Sequence, residues 1–255
     1  MDYINYLIYI IFGTLPGLAW LLYYLRKDVN PEPKGMILKV FFYGMLVTFP
    51  AVFSEIAIAD LTKKITFFPF LVFVFNVFFG VALIEELLKF LVVKKAVLKS
   101  SEFDEPVDAM IYMIVSGLGF ATAENILVLF LLRSGFNQMF EISLLRFLGA
   151  TFLHALASAI IGFFIGLTFF DKTHRRKLIL TGLVWAVMLH GLYNFSIMSS
   201  GLIYKIFGTI IKVEGTLQLL MISLPLLISA LFVSLGFKKL KKLKSKITSD
   251  TNLRI

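Results

Sequence analysis

Seven stretches of the chain are apolar on every helical face, at roughly 4–25, 36–59, 67–93, 108–133, 144–170, 178–199 and 216–237. Each reaches the roughly 20 residues that a helix needs to cross a bilayer core. No segment alternates with the ten-residue rhythm of a membrane barrel. In hydrocarbon a helix is then the remaining way to satisfy every backbone N–H and C=O. The pattern predicts an all-α, polytopic transmembrane bundle of about seven spans. The loops are short, so the expected organisation is one transmembrane domain over 1–237 followed by a basic tail over 238–255, with no soluble domain appended. No internal repeat is visible. The first stretch has neither a basic segment before it nor a small-x-small cleavage site, and so reads as a retained span rather than a cleaved signal peptide.

Composition agrees. Apolar residues make up 59% of the 255 and mean hydropathy is +0.89, whereas a soluble domain is about half apolar. There is no cysteine, which excludes disulfides, thiolate metal ligands and cysteine nucleophiles. The net charge of +9 is not a nucleic-acid signature, because the charges sit in loops and tail. Counting Lys and Arg in short loops sets orientation. One side holds Arg26, Lys27 and Lys34, then Lys94, Lys95 and Lys99, then Lys172, Arg175, Arg176 and Lys177, then a tail of Lys238, Lys239, Lys241, Lys242, Lys244, Lys246 and Arg254. The other holds Lys63, Lys64, Arg133, Arg146, Lys205 and Lys212. About seventeen against about six predicts the N-terminus outside and the C-terminus cytoplasmic. The expected location is the cell membrane, with the tail anchoring topology and able to meet anionic lipid.

A charged side chain at the bilayer centre costs about 2.5–3.5 kcal/mol, so each one is a candidate functional residue. The third stretch contains Glu85, Glu86 and Lys89. Lys89 lies one helical turn from both acids, and the two acids point about 100° apart. One can pair with the lysine while the other faces a cavity; the alternative is a charge cluster near the headgroups with Lys89 snorkelling outward. Ahead of the fourth stretch, Asp104, Glu105, Pro106 and Asp108 are helix-start signals. Inside it, Gly117 and Gly119 permit close helix contact, and Glu124 and Asn125 follow deep in apolar sequence. Of three histidines, His174 falls in a basic loop and is expected to be solvated. His154 and His190 are in mid-span, with Ser158 and Asn194 one turn on. At 1.5 Å per residue, Glu124, His154 and His190 fall about 13–15 Å from the outer ends of their spans, in one layer. Glu85, about 27 Å from residue 67, joins that layer if its long helix tilts or starts in the interface.

Carboxylates and imidazoles without a serine–base pattern suggest direct activation of water. Burial favours the neutral form of a carboxylic acid, which brings such a group into range as a general base, and imidazole or amide donors can stabilise an oxyanion. The same residues could hold zinc, with His154, His190 and Glu124 as ligands and Glu85 as base. No His-Glu-x-x-His run is present to favour zinc on spacing.

Taken in order, Glu85-Glu86-x-x-Lys89, Phe103-Asp104-Glu105, Gly119-Phe120-Ala121-Thr122-x-Glu124-Asn125, His154-Ala155-Leu156 with Gly162-Phe163, and Leu189-His190-Gly191-x-Tyr193 resemble the PrsW family of intramembrane proteases. That family is related to the CAAX prenyl endopeptidase and bacteriocin-processing superfamily. The resemblance spans nearly the whole chain. It implies cleavage of membrane-anchored, single-pass proteins such as an anti-sigma factor. It also implies catalysis by Glu85 and Glu86, with Glu124, His154 and His190 completing the site and Lys89, Asn125 and Asn194 supporting it. The family is often classed among metallopeptidases, which leaves zinc as a possible cofactor. Asn194 stands where some relatives carry Asp, which suits an oxyanion donor better than a proton relay. Phe120-x-x-x-Glu124 stands where the prenyl endopeptidases carry Phe-x-x-x-His. From a different class, midplane acids could serve a proton- or ion-coupled transporter, but such proteins commonly show repeats and matched interrupted helices.

Overall fold

The computed structural model describes residues 3–27, 30–65, 67–133, 135–198 and 216–252. Lys205, Lys212 and Arg254, counted in the charge bias, lie outside them. Helices α1 (Tyr3–Leu25), α2 (Lys34–Thr62), α3 (Pro69–Phe75), α4 (Leu83–Ala96), α5 (Asp108–Leu132), α6 (Phe136–Leu148), α7 (Ala150–Leu167), α8 (Arg175–Met198) and α9 (Thr216–Asn252) follow in order. A π-helical segment, Asn76–Ala82, joins α3 to α4. Among the described residues seven helices are long and apolar enough to span a membrane, with α3 to α4 and α6 to α7 each forming one span. The protein is a multi-pass, all-α membrane protein.

Helix α5 is the axis of the bundle. It packs on α1, α2, α4 and α7, and its side chains are buried from Asp108 through Ala123. The exposed leucines and phenylalanines of α1, α2 and α9 instead face outward, where lipid can cover them. Helices have no hydrophobic drive to associate within lipid, so close backbone approach through small residues does much of the packing. A Cβ on Gly119 would collide with the Phe41 carbonyl of α2, and one on Gly44 with the Ser116 carbonyl of α5. On the opposite face, a Cβ on Gly117 would come within 2.9 Å of the His154 carbonyl of α7. The two glycines flanking Leu118 thus seat α5 between α2 and α7. Gly119→Val is expected to cost about 1–3 kcal/mol or more, because the obstructing atoms are backbone. Thermal unfolding in detergent should show it, with Gly35→Ala, which meets nothing within 4 Å, melting as wild type.

Two spans depart from the hydropathy reading. The fifth starts at Phe136, well before 144, and breaks at Gly149, whose φ of −109° and ψ of −91° fit neither helix. Tyr193 of α8 packs its hydroxyl against this break, where a side chain at 149 would clash. In the third, the Leu83 N–H bonds to the Phe78 carbonyl, five residues back. Such wider turns are rare and occur often at functional sites. They take more residues per turn, which absorbs part of the extra length of this span. The π segment presses Phe78 onto Gly191 of α8 and turns the next helical turn, which carries Glu85 and Glu86, toward the bundle interior. Beyond residue 237, α9 runs on as helix into the basic tail.

Candidate active site

Lys89 is the centre of the site. Its ammonium has no exposed surface and lies 2.8 Å from Glu86 Oε1, 3.2 Å from Glu85 Oε2 and 2.7 Å from His154 Nδ1. The Phe120 ring of α5 closes the remaining side, 4.4 Å from Nζ. A lysine tied to three groups is not snorkelling, so the headgroup alternative does not hold. Ser116 Oγ donates to the Lys89 carbonyl at 3.1 Å, fixing α4 against α5.

Around this ammonium four spans converge. His154 of α7 offers Nε2 to Glu124 Oε2 of α5 at 2.9 Å. His190 of α8 offers Nδ1 to Glu86 Oε1 at 2.8 Å. Glu85 Oε2 lies 3.8 Å from His154 Nδ1 and 3.9 Å from His190 Nε2, and the two imidazoles stand edge to face, 5.1 Å apart. Glu85, Glu86, His154 and His190 are buried, and Glu124 is half-buried.

These contacts settle how each ring points. With Lys89 donating to His154 Nδ1, that nitrogen presents its lone pair and Nε2–H donates to Glu124. With Glu86 accepting from His190 Nδ1–H, the lone pair of His190 is on Nε2. The His154 lone pair is thus taken by Lys89, while His154 Nδ1 and His190 Nε2 both lie near Glu85 Oε2, at 3.8 and 3.9 Å. One oxygen of Glu85 and one nitrogen of each histidine lie within 4.8 Å of one another. Glu124 approaches His154 from the opposite ring edge.

The supporting residues divide. Asn125 is buried and its amide is fully engaged, donating to the Gly13 carbonyl at 3.3 Å and Thr151 Oγ1 at 3.0 Å and accepting from Arg146 Nε. It ties α1, α5, α6 and α7 together. Asn194 is half-buried, one turn past His190, and shares no hydrogen bond with the cluster among the described residues. His174 is exposed in the α7–α8 loop and pairs with Asp171 at 2.8 Å; its backbone N–H, then its ring, hold that carboxyl below its usual range. Asp108 Oδ2 accepts the Asp104 and Glu105 N–H groups at 3.0 and 2.6 Å, a helix-start role.

Two more ionisable residues belong to the site. Arg146 of α6 lies with Nη2 2.9 Å from Glu124 Oε2 and is a site cation rather than a topological charge. The signal for it is a cation eight residues before a mid-span histidine, close to two helical turns away. Glu55 of α2 is half-buried and close enough to Glu85, Glu124 and Lys89 to feel their charges. Its signal is a lone acid inside the second apolar stretch, the criterion that selects Glu85.

A family model described as PrsW family intramembrane metalloprotease matches residues 32–237, a range holding every residue of this cluster. The chain belongs to the PrsW family. A Protease PrsW of Geobacillus kaustophilus is 35% identical over 188 residues, covering 73% of this chain and 78% of the relative. Those of Oceanobacillus iheyensis and Bacillus subtilis are 32% and 34% identical, with 72% of this chain matched in each case and 80% and 79% of the relative. No solved structure matches. As a PrsW family member the chain is an intramembrane protease, and its substrate is a membrane protein.

Arg146 pairs with the carboxylate that meets His154, which makes it a candidate positioning group. Such outer contacts carry about tenfold to a hundredfold in activity. Arg146→Met is expected to lower kcat by about tenfold or more with little change in KM, and Arg146→Lys to recover part of it. A merely structural role would lower yield and leave kcat per folded molecule intact.

Proposed function

We propose that the Glu–His cluster hydrolyses a peptide bond of a single-pass, membrane-anchored protein of the anti-sigma-factor kind, with Glu85 receiving the proton of the attacking water. Glu85 suits that role because it is the one acid of the three that lies beside a nitrogen of both imidazoles. Glu86 and Glu124 act one layer out, each fixing the tautomer of a histidine. Lys89 pairs with both Glu85 and Glu86 inside the bundle, and the Asn194 amide, lying past His190, is the candidate donor to the oxyanion. Burial of Glu85, Glu86, Lys89, His154 and His190 lowers the local dielectric, which strengthens the interactions among them.

The donor set fits zinc. Two imidazoles and one carboxylate make a typical catalytic zinc set, and each ligating histidine is normally oriented by a carboxylate on its other nitrogen, as Glu124 and Glu86 are placed here. Lys89 Nζ touches two of these donors, Glu85 Oε2 and His154 Nδ1, and would have to release them to an ion. With an ion bound, Glu85, His154 and His190 would hold it, in place of the set with Glu124 that the sequence suggests, and the water's proton would pass to another acid of the cluster rather than to Glu85. Bound zinc supplies a Lewis acid and an acidified water.

The observation that carries the proposal is the convergence of acids from α4 and α5 with imidazoles from α7 and α8 on one buried point. Its test is the protein reconstituted in liposomes with a single-pass substrate, assayed before and after chelation, with metal content measured. Cleavage that falls on chelation and returns with zinc is expected. Full cleavage by protein shown to be metal-free overturns the zinc assignment, and ion uptake without peptide cleavage overturns the hydrolytic one.

A further inference from the structure

A second site lies apart from the catalytic cluster. A cavity of about 610 Å³ opens between α1, the α6–α7 junction and α9. Its walls are aromatic: Trp20 stacks on Phe152 at 4.4 Å and on Phe147 at 5.3 Å, and Tyr24 stacks on Phe237. The Trp20 indole N–H is already satisfied by the Phe147 carbonyl at 2.9 Å, so the ring presents only apolar surface to an occupant. The cavity's other end is basic. Lys27, Lys238 and Lys241 line it, and among the described residues no acidic one does. These lysines sit where α1 ends and where α9 passes from apolar to basic sequence, the level of lipid headgroups. Lys241 reaches across to the Lys27 carbonyl and the Lys27 ammonium rests 4.8 Å from the Tyr23 ring, so the basic end is shared between α1 and α9.

An apolar chamber with one cationic mouth at headgroup height matches one kind of molecule in a bilayer. We infer that this cavity binds an anionic phospholipid, an acyl chain lying against Trp20, Phe147 and Phe152 and the phosphate held by Lys27, Lys238 and Lys241. A zwitterionic lipid offers the same chains but carries a choline cation beside its phosphate, which the lysines repel. Each basic residue near the surface contributes about a fivefold preference for anionic lipid.

The chain has two tryptophans, which makes the test direct. Trp185→Phe leaves Trp20 as sole reporter, and Trp20→Phe leaves Trp185, which is 60% exposed on the outer face of α8. Each full-length variant is placed in nanodiscs of mixed phosphatidylglycerol and phosphatidylcholine, with one or the other brominated in the upper acyl chain. Trp20 should reach half-quenching at a mole fraction of brominated phosphatidylglycerol on the order of a hundredfold lower than of brominated phosphatidylcholine, the combined preference of three lysines. Trp185 should not distinguish them. Replacing Lys27, Lys238 and Lys241 with Gln should abolish the Trp20 preference. Equal quenching of Trp20 by both lipids in the lysine-intact protein overturns the inference. So does a preference shared equally by Trp185, which would reflect general surface charge, or Trp20 quenching that a substrate transmembrane segment relieves while lipid charge has no effect.

Discussion

Glu85→Gln is expected to lower cleavage of a reconstituted single-pass substrate by about 10²–10⁴-fold, the usual contribution of a general base. The substitution keeps the shape of the side chain and removes one capacity, that of taking a proton. The amide that replaces the carboxylate can still accept from Lys89 through its carbonyl oxygen. Glu86 retains both its partners, Lys89 and His190. The fold should therefore survive, and the loss should fall on kcat. His190→Ala should match it in size, because it removes one of the two imidazoles beside Glu85 and leaves Glu86 without its imidazole partner. Glu86→Gln should lose activity for a different reason: an amide can offer N–H where His190 Nδ1–H needs an acceptor, so the ring turns or flips. If Glu85→Gln cleaves at the wild-type rate while His190→Ala does not, the base is another acid, and Glu55 or Glu124 takes its place.

The spans were readable because apolar run length is a one-dimensional property, set by bilayer thickness. So were Glu85, Glu124, His154 and His190, since an ionisable side chain in such a run costs enough to require a reason. What the sequence concealed depends on rotation. Which acid faces both histidines is decided by the π turn at Asn76–Ala82, and a single added residue per turn swings every later side chain by a large angle. Glu124 stands at the depth expected of a third ligand, yet it meets His154 on the far ring edge. Arg146 sits near the margin of its span, where hydropathy reads a cation as a topology signal. The helix break at Gly149 and the pairing of Arg146 with Glu124 are through-space facts, contributed by Tyr193 from α8 and by α5. Glu55 is the exception: its sequence context is as clear as that of Glu85, and only its distance from the recognisable motifs hides it.

Lys89→Met should be the most destabilising single change in the site. The lysine is fully buried and is the shared partner of Glu85 and Glu86, whose side chains are 6% and 0% exposed. Removing the cation strands two carboxylates in a buried pocket without their counter-charge, a change that costs about 3–5 kcal/mol in comparable buried pairs. For a protein of this size that corresponds to a fall on the order of 10 °C in Tm. The loss should be largely reversed in the triple variant Glu85→Gln, Glu86→Gln, Lys89→Met, because replacing a whole buried ion cluster by neutral groups is often nearly neutral in energy. The signature is strong non-additivity: the triple variant melts well above Lys89→Met while remaining inactive. If instead the losses simply add, Lys89 is not bonded to both acids, and the cation-centred site is wrong. The recovery of stability without recovery of cleavage also separates two roles that the structure superimposes. On that outcome the acids serve the proposed chemistry, while Lys89 makes them tolerable to the fold.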